Sequence, residues 1–285
     1  MFSTALVALD LSPAEAPMLE CLADLETWGV KRAVLTHVVK VGYMQGSTYG
    51  RREEYVDWLE RKAAPLRERG LEVAVDVRAS GVPAQELLAA AAEAGADLVV
   101  VGSRGENMAR QLFLGSTARE VIRDATLPVL LEWIEPSAEE TAARCERVCR
   151  RSLARLVVAT DFSRRARAAE EAAIALGRQG LGVDVVHAVP AEVVAGTPAW
   201  PIMAKAALDD LAQRVSETGA QTEVHVIDGD PAETIAAFAR ARDASLIVVG
   251  KHGQGWIESM VIGSTAARIC EIARRPVLMV PKAAG

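Results

Sequence analysis

Short runs of apolar, β-branched residues alternate with longer amphipathic segments along the whole chain. This alternation is typical of a parallel β-sheet that is covered by helices on both faces. The predicted strands of the first half are Ala5 to Leu9, Ala33 to Val39, Glu72 to Val77, Leu98 to Gly102 and Val129 to Glu132. Those of the second half are Leu156 to Thr160, Gly182 to Val189, Thr222 to Ile227, Leu246 to Gly250 and Val277 to Val280. The pattern therefore predicts an α/β protein with five strands in each half.

The last predicted helix of each half carries one apolar stripe at helical spacing. The stripes consist of Ala118, Val121, Ile122 and Ala125 in the first half, and of Ala266, Ile269, Cys270 and Ala273 in the second. Because Cys270 takes the position of Ile122, we expect it to be a small buried hydrophobe rather than a reactive thiol.

The two halves are copies of one another. Each has a first strand followed by aspartate, a second strand with a histidine, and a glycine-rich segment after the fourth strand. The matching segments are Val7 to Ser12 and Val158 to Ser163, Thr36 to Val39 and Val186 to Val189, and Gly102 to Thr117 and Gly250 to Thr265. We therefore expect two tandem domains, residues 1–135 and 153–283, joined by a connector at residues 136–152.

The predicted connector is polar and rich in Ala, Glu and Arg, which is typical of a helical or extended surface segment. Cys145 and Cys149 lie in it, four residues apart, without the C-x-x-C spacing of redox or zinc sites. Four cysteines in the whole chain are too few for a disulfide scaffold, so reduced thiols are expected.

The composition is that of an ordered globular protein, with 51% hydrophobic and 25% charged residues. A net charge of -6 argues against a duplex nucleic-acid surface, which needs clustered Lys and Arg. The stretch from Met1 to Asp10 lacks a basic leader, and no segment approaches the roughly 18 apolar residues that span a bilayer. These features predict a cytoplasmic protein without membrane insertion.

A glycine signature with the spacing G-x2-G-x9-G-[ST] follows the fourth strand of each half. Its first copy consists of Gly102, Gly105, Gly115, Ser116 and Thr117. Its second copy consists of Gly250, Gly253, Gly263, Ser264 and Thr265. The signature is the main indication of function in the sequence.

Glycines at the end of a strand let backbone amides approach a phosphate without obstruction by Cβ atoms. The helix that begins after the third glycine presents NH groups and its positive dipole end to an anion, and the Ser/Thr hydroxyls add donors. Open parallel sheets bind their ligands at this edge. The same residues also suit plain turns and helix caps, but their occurrence in both copies favours a nucleotide site in at least one domain.

Both halves resemble the universal stress protein family, whose ATP-binding members carry this signature. The resemblance covers nearly the whole chain and implies two tandem doubly wound domains, each with a five-stranded parallel sheet of order 3-2-1-4-5. In members with separate domains the fifth strands pair across a dimer. Here Val129 to Glu132 and Val277 to Val280 would pair within one chain as an intramolecular pseudo-dimer, with a homodimer left open.

The resemblance also implies which residues hold the nucleotide. In nucleotide-binding members an aspartate after the first strand and a residue after the second-strand histidine hold the adenosine. Asp10 and Val38 would serve the first site, and Asp161 and Ala188 the second. The phosphates of ATP, ADP or AMP, with or without Mg²⁺, would rest on the glycine and Ser/Thr frame. A carboxylate can accept hydrogen bonds from ribose, although it can also cap a helix, a role for which the serines two residues later compete.

Charged residues near the two signatures differ. Arg104 and Arg110 are candidates for phosphate contacts in the first copy, whereas the second offers Lys251 and His252. We therefore expect the two sites to differ in affinity.

Motifs of phosphoryl-transfer and hydrolytic enzymes are absent: the sequence has no G-x-x-x-x-G-K-[ST], H-E-x-x-H or G-x-S-x-G. Its histidines do not form a local ligand cluster. His37 and His187 end apolar strands at equivalent places, and we expect both to be buried, hydrogen-bonded imidazoles rather than catalytic groups. No catalysis is expected beyond slow ATP hydrolysis by a bound water.

Three functions remain open. The first is a non-catalytic, ATP-binding regulatory module of the stress response, whose nucleotide favours one arrangement of the glycine loops and so signals to an unidentified protein partner. The second is a nucleotide-free interaction protein with a structural pseudo-dimer. The third, a slow ATP hydrolase or adenylyl transferase, has the least support because no S-G-G-x-D-S loop follows the first strand. Co-purifying nucleotide separates the first from the second, and steady phosphate release would favour the third.

Overall fold

The structure is a computed structural model that describes residues 1–40, 52–103, 114–136, 145–147, 154–179, 181–197, 199–253 and 261–282. The chain divides into two compact units. Unit 1 comprises Met1–Val121 and Ile134–Arg147, and unit 2 comprises Ile122–Trp133 and Val148–Gly285. A segment near the end of the first repeat, Ile122–Trp133, thus belongs to the same unit as the second repeat.

Strands and helices alternate along the first repeat. Its strands are β1 (Thr4–Ala8), β2 (Arg32–Lys40), β3 (Glu72–Ser80), β4 (Leu98–Gly102) and β5 (Val129–Glu132). Its helices are α1 (Glu15–Thr27), α2 (Arg52–Glu68), α3 (Pro83–Glu93) and α4 (Ser116–Asp124). In unit 1, β1 pairs in parallel with both β2 and β4, and β2 pairs in parallel with β3.

Strand β6 (Ile134–Pro136) spans the predicted boundary between the first domain and the connector, and it pairs antiparallel in unit 1 with β7 (Cys145–Arg147) of the connector. Arg147 is buried there and forms an ion pair with Asp24 of α1 at 2.8 Å. The helix-like interpretation of the segment around Cys145 is therefore wrong, and the extended alternative is confirmed for residues 145–147. Cys149 lies outside the described residues.

The second repeat has the same alternation. Its strands are β8 (Arg155–Ala159), β9 (Gly182–Val189), β10 (Gln221–Asp228), β11 (Leu246–Gly250) and β12 (Val277–Val280). Its helices are α5 (Arg167–Gly177), α6 (Ala191–Gly196), α7 (Trp200–Ser216), α8 (Pro231–Ala241) and α9 (Ser264–Ile272). The parallel strand order is β10-β9-β8-β11-β12. This is the predicted order 3-2-1-4-5, so the doubly wound fold is confirmed.

All ten strands predicted from the alternation are present, and five have the predicted bounds. The inner strands are buried on both faces because helices cover a parallel sheet from two sides. The two apolar helix stripes are buried as predicted. Cys270 is almost wholly buried, and burial raises the pKa of its thiol to about 12, as expected for an inert core residue.

The fifth strands pair with each other. Within unit 2, β5 and β12 run antiparallel, with Leu130 opposite Leu278. This is the contact that we expected for an intramolecular pseudo-dimer, and it is confirmed. Among the described residues, no helix is long and apolar enough to cross a membrane.

Leu130→Ala is expected to lower the free energy of unfolding by about 2–5 kcal/mol, because Leu130 is fully buried and its truncation leaves a cavity beside Leu278. Urea unfolding followed by circular dichroism measures the loss. The matched control is Ile202→Ala on α7, where the side chain is 75% exposed and a change within about 0.5 kcal/mol is expected. Equal effects of the two substitutions would contradict the importance of the β5–β12 pairing.

Candidate functional site

The glycine loop of the second repeat is the segment from Gly250 to Gly263, of which residues 250–253 and 261–263 are described. Backbone hydrogen bonds hold these residues in place. The N–H of Gly263 donates to the carbonyl of Lys251 at 2.9 Å, and the N–H of Lys251 donates to the carbonyl of Val280 at 2.8 Å. A Cβ atom at Gly250 would lie 3.3 Å from Cα of Ala166, so the loop that follows β8 packs directly on this glycine. The glycines thus permit close approach of three backbone segments.

The third glycine of the signature caps α9. The carbonyl of Gly263 accepts the first hydrogen bond of the helix, from the N–H of Ala267 at 3.0 Å. Ser264 and Thr265 follow as the first two helical residues, and both are exposed. The first-turn N–H groups and two hydroxyls therefore lie at a solvent-facing helix N-terminus, where the helix dipole favours an anion.

Asp161 lies against the glycine loop. A Cβ atom added at Gly253 would overlap Oδ2 of Asp161 and lie 3.4 Å from its Cγ. Since only glycine lacks that atom, the contact brings the aspartate after β8 and the loop after β11 into one site. Asp161 and Gly253, which are about 90 positions apart in the sequence, thus lie next to each other.

Neither the aspartates nor the serines cap the helices that follow: α1 begins after Ala14 and α5 after Ala166, both without a side-chain cap. Oγ of Ser163 accepts from the N–H of Ala166 at 3.1 Å, while Oδ1 of Asp161 accepts from the N–H of Ser163 at 3.0 Å. In the first repeat, Ser12 donates to Oδ1 of Asp10 at 2.5 Å and accepts from the N–H of Ala14. The aspartates therefore shape the loops after β1 and β8 and do not cap α1 or α5.

The backbone N–H and C=O groups of Val38 and Ala188 face the space beyond the ends of β1 and β8, the first strand of each repeat. The carbonyl of Thr36 accepts from the N–H of Leu9, and the register pairs Ala8 with Thr36. Alternate residues of a strand direct their N–H and C=O groups to the same side. The N–H and C=O of Val38 therefore face the space beyond β1, at the level of Asp10.

The second repeat has the same geometry. The carbonyl of Val186 accepts from the N–H of Thr160 at 3.0 Å, and the register pairs Ala159 with Val186. By the same alternation, the backbone groups of Ala188 face the space beyond β8, at the level of Asp161. A flat ligand with an edge of donors and acceptors can hydrogen-bond to the backbone there.

Aromatic rings surround His187. The ring of Phe162 lies 4.6 Å from the imidazole, and Nε1–H of Trp200 donates to Nε2 of His187 at 3.2 Å. Nδ1–H of His187 donates to the carbonyl of Thr160 at 2.8 Å, so the imidazole is neutral with its tautomer defined. Burial lowers its pKa, although the carbonyl of Thr160 and the charge of Asp161 act the other way. The predicted buried, hydrogen-bonded histidine is confirmed.

Phe162 and Trp200 were not identified from the sequence as residues of the second site. Phe162 has a positive φ of 61°, an unusual conformation for a non-glycine residue, and its ring packs on His187. The equivalent residue in the first repeat is Leu11, which is exposed. The difference between Leu11 and Phe162 in otherwise matching motifs is the one signal that could have pointed to this aromatic contact.

The first repeat shows part of the same arrangement. The N–H of Gly115 donates to the carbonyl of Ser103 at 3.0 Å, as Gly263 does to Lys251. His37 is buried, donates through Nδ1–H to the carbonyl of Leu9, and contacts the ring of Tyr55. Gly102, Gly115, Ser116 and Thr117 are described, whereas Gly105, Arg104 and Arg110 lie outside the described residues.

Lys251 does not face a ligand. Its ammonium is buried and donates to the carbonyls of Arg123 and Ala125 at 2.6 and 2.7 Å, so our expectation of a phosphate contact from Lys251 is wrong. His252 donates through Nε2–H to the carbonyl of Val261 at 2.9 Å. Burial lowers the pKa of His252, and the charges of Lys251 and Arg165 lower it further.

Arg165 is a cation that sequence reasoning did not select for the second site. Its carbonyl would lie 3.5 Å from a Cβ atom at Gly250, and its charge acts on His252. The corresponding stretch of the first repeat, Leu11 to Ala16, contains no cation. The pair of arginines after Ser163 was the available signal.

One described cluster has metal-ligand chemistry. Oxygen and nitrogen atoms of Asp184, Glu223 and His225 lie within 4.8 Å of one another. However, Asp184 is fully buried and accepts hydrogen bonds from Arg155 at 2.8 Å and Arg242 at 3.0 Å. A metal ion would have to displace these guanidinium groups, so we interpret the cluster as an ion-pair network that joins β8, β9 and β10 to the end of α8.

The fold and the loops define a class of protein: tandem doubly wound α/β domains with a glycine-bounded helix N-terminus at the carboxyl edge of the strands. A sequence model described as the Universal stress protein family matches residues 1–131 and 153–281. The chain therefore belongs to the universal stress protein family.

Individual relatives agree with this assignment. A universal stress protein of Mycolicibacterium smegmatis is 27% identical over 219 residues, which cover 74% of this chain and 69% of that protein. A universal stress protein of Methanocaldococcus jannaschii is 29% identical over 139 residues, 45% of this chain and 82% of the relative. The crystal structure of a universal stress protein from Archaeoglobus fulgidus matches with a TM-score of 0.71 at 22% identity, and covers 98% of this chain and 96% of that one. The structural match shows the fold.

Trp200→Phe is expected to raise the pKa of His187, because it removes the N–H that holds Nε2 unprotonated and opens the ring to water. An NMR titration of the imidazole C–H signals measures the change. Trp28→Phe in unit 1 is the matched control and should leave His187 unaffected. A pKa of His187 that stays constant or falls in Trp200→Phe would contradict the assigned tautomer.

The lowered pKa of His187 also predicts how the stability of the wild-type chain depends on pH. Since the pKa of folded His187 lies below the ordinary 6.5, the unfolded chain binds this proton more readily, and the free energy of unfolding should fall as pH drops below 6.5.

Proposed function

We propose that this chain is a non-catalytic, adenine-nucleotide-binding regulatory module of the universal stress protein family, with ATP as its principal ligand. The observation that carries the proposal is the contact of Asp161 with Gly253 beside the N-terminus of α9. It brings a carboxylate suited to ribose next to a helix end suited to phosphate. ADP and AMP share the same adenosine contacts, and Mg²⁺ would accompany the polyphosphate.

The residues present fit a nucleotide. The backbone of Ala188 would pair with the edge of adenine, and the carboxylate of Asp161 would accept from the ribose hydroxyls. Phosphates would lie over Gly253 and the N–H groups and hydroxyls of Ser264 and Thr265. A side chain at Gly253 would fill the space beside Asp161, which supports a role for this glycine in keeping the site open.

The first repeat would bind in the same manner through Asp10, Val38, Gly102, Gly105, Gly115, Ser116 and Thr117. Different surroundings support different affinities for the two sites. Arg165 adds positive charge near the second glycine loop, whereas a pair of aromatic residues, Tyr55 and Trp58, packs on His37 of the first. A cation near the second loop favours binding of phosphate there.

Binding without turnover is supported by the hydrogen bonds of the second loop. Lys251 and His252, which are the titratable residues between its first two glycines, donate to protein carbonyls. A bound nucleotide would then act by favouring one arrangement of the loops, which a protein partner recognises. The alternative, a nucleotide-free interaction protein, would keep the β5–β12 pairing but leave the glycine loops without a ligand.

The variant with Gly105→Val and Gly253→Val is expected to lose ATP binding, because valine at Gly253 displaces Asp161 and covers the phosphate end of the site. Isothermal calorimetry measures binding, and circular dichroism should show a retained fold. The matched control is Gly196→Ala, since a Cβ atom there meets nothing within 4 Å, and its affinity should equal that of the wild type. Unchanged ATP affinity in the double variant would remove the glycine loops from the proposed site.

Under this proposal, natively purified protein is expected to carry adenine nucleotide, because a tightly bound ligand dissociates slowly. Native mass spectrometry should show the added mass of ATP, ADP or AMP, and denaturation should release it. A chain that purifies without ligand and takes up no adenine nucleotide at millimolar concentration would favour the nucleotide-free interaction protein.

A further inference from the structure

Lys251 is a buried cation within the second glycine signature, with only 4% of its surface exposed. Its ammonium donates to the carbonyl of Arg123 at 2.6 Å and to the carbonyl of Ala125 at 2.7 Å. These carbonyls lie at the C-terminal end of α4, which ends at Asp124. All of these atoms belong to unit 2, although Arg123 and Ala125 come from the first repeat.

The contact satisfies a specific electrostatic need. The last carbonyls of a helix have no partner within the helix, and the negative end of the helix dipole lies there. A lysine ammonium is a suitable donor for them. Burial lowers the pKa of Lys251 to about 8, while the neighbouring carboxylate of Asp124 acts to raise it, so the amine is mainly protonated at neutral pH.

The backbone of Lys251 is bound on both sides as well. Its N–H donates to Val280 of β12, and its carbonyl accepts from Gly263 at the start of α9. One residue therefore connects the glycine loop, the helix N-terminus of the second site and the end of α4. Movement of the glycine loop would strain the contacts of Lys251 with Arg123 and Ala125.

Ser103 holds the same place in the first signature and makes an analogous contact. Its carbonyl accepts from Gly115, and its Oγ accepts from the N–H of Ile134 at 3.0 Å, within unit 1. Ile134 lies just after β5, whereas Arg123 and Ala125 lie just before it. In both signatures, the residue after the first glycine thus binds the chain that flanks β5 instead of facing a ligand.

We propose that Lys251 is a positioning residue that completes the second nucleotide site with the segment Ile122–Trp133 of the first repeat, so that nucleotide binding and the anchoring of this segment stabilise each other. The inference rests on the proposed function, because it needs a ligand on the second glycine loop. Linkage is reciprocal: if the anchored segment strengthens nucleotide binding, bound nucleotide must strengthen the anchoring by the same factor.

Calorimetry with ATP tests the effect of the segment on the site. In an Asp10→Ala background, which weakens the first site, Lys251→Met should raise the Kd for ATP roughly tenfold, because methionine keeps the length of the side chain but donates no hydrogen bond. Lys205→Met is the matched control, since Lys205 is an exposed lysine of unit 2 that pairs with Asp209. Its Kd should equal that of the background.

Hydrogen exchange tests the reverse direction. Saturating ATP should slow amide exchange in residues 122–133 of the wild-type chain by roughly tenfold. In Lys251→Met saturated with ATP this slowing should be lost. A purely structural lysine would change the exchange rate without ligand but would leave the ATP-dependent change intact, so this readout separates the two roles.

The possible outcomes are distinct. ATP binding with unchanged exchange in residues 122–133 overturns the inference and leaves the proposed function standing. So does an unchanged Kd in Lys251→Met. If Lys251→Met does not fold, the exchange of the wild-type chain with and without ATP decides alone. Failure of the wild-type chain to take up ATP at millimolar concentration removes the proposed function and the inference together.

Discussion

The close approach of the Asp161 carboxylate to Gly253 is the contact on which the second site depends. A side chain at position 253 would separate the loop after β11 from the loop after β8. The site would then consist of a helix N-terminus alone, which binds anions weakly and without selectivity. With the contact present, the carboxylate of Asp161 lies beside the loop that leads to the N-terminus of α9, as the proposed binding of a nucleotide requires.

The two repeats use a common backbone with different side chains around it. Gly115 and Gly263 make equivalent hydrogen bonds to the residue after the first glycine of each signature. That residue is Ser103 in one case and Lys251 in the other, so the same backbone geometry is attached to different parts of the chain. The two repeats therefore share this backbone hydrogen bond, while the side-chain contacts beside it differ.

Much of the fold could be predicted because the apolar runs of a parallel sheet are continuous and repeat in both halves. Strands such as Leu98–Gly102 and Leu246–Gly250 agree with prediction in both bounds. The connector was harder to predict, since the pairing of β6 with β7 and the burial of Arg147 against Asp24 depend on contacts distant in sequence. No local pattern of charge or hydrophobicity reports them.

The site was predictable in its backbone parts and less so in its charged parts. Glycine spacing reflects local geometry, so the motif located Gly250, Gly253 and Gly263. The direction of a long side chain depends on which partner is in reach. Lys251 was expected to contact phosphate, but its ammonium donates to the carbonyls of Arg123 and Ala125 at the end of α4. Arg165 was overlooked because the pair of arginines in its motif has no counterpart in the first repeat.

The pairing of β5 with β12 gives the tandem arrangement a physical consequence. Unit 2 includes Ile122–Trp133 of the first repeat, so this segment contributes both a strand and the two carbonyls that bind Lys251. A second repeat without that segment would expose an edge strand, β12, and leave a buried lysine without its acceptors. Both changes are unfavourable, because unpaired strand edges invite aggregation and an unpaired buried cation carries a desolvation cost. The covalent link between the repeats therefore supplies the second glycine loop with a partner that is always present.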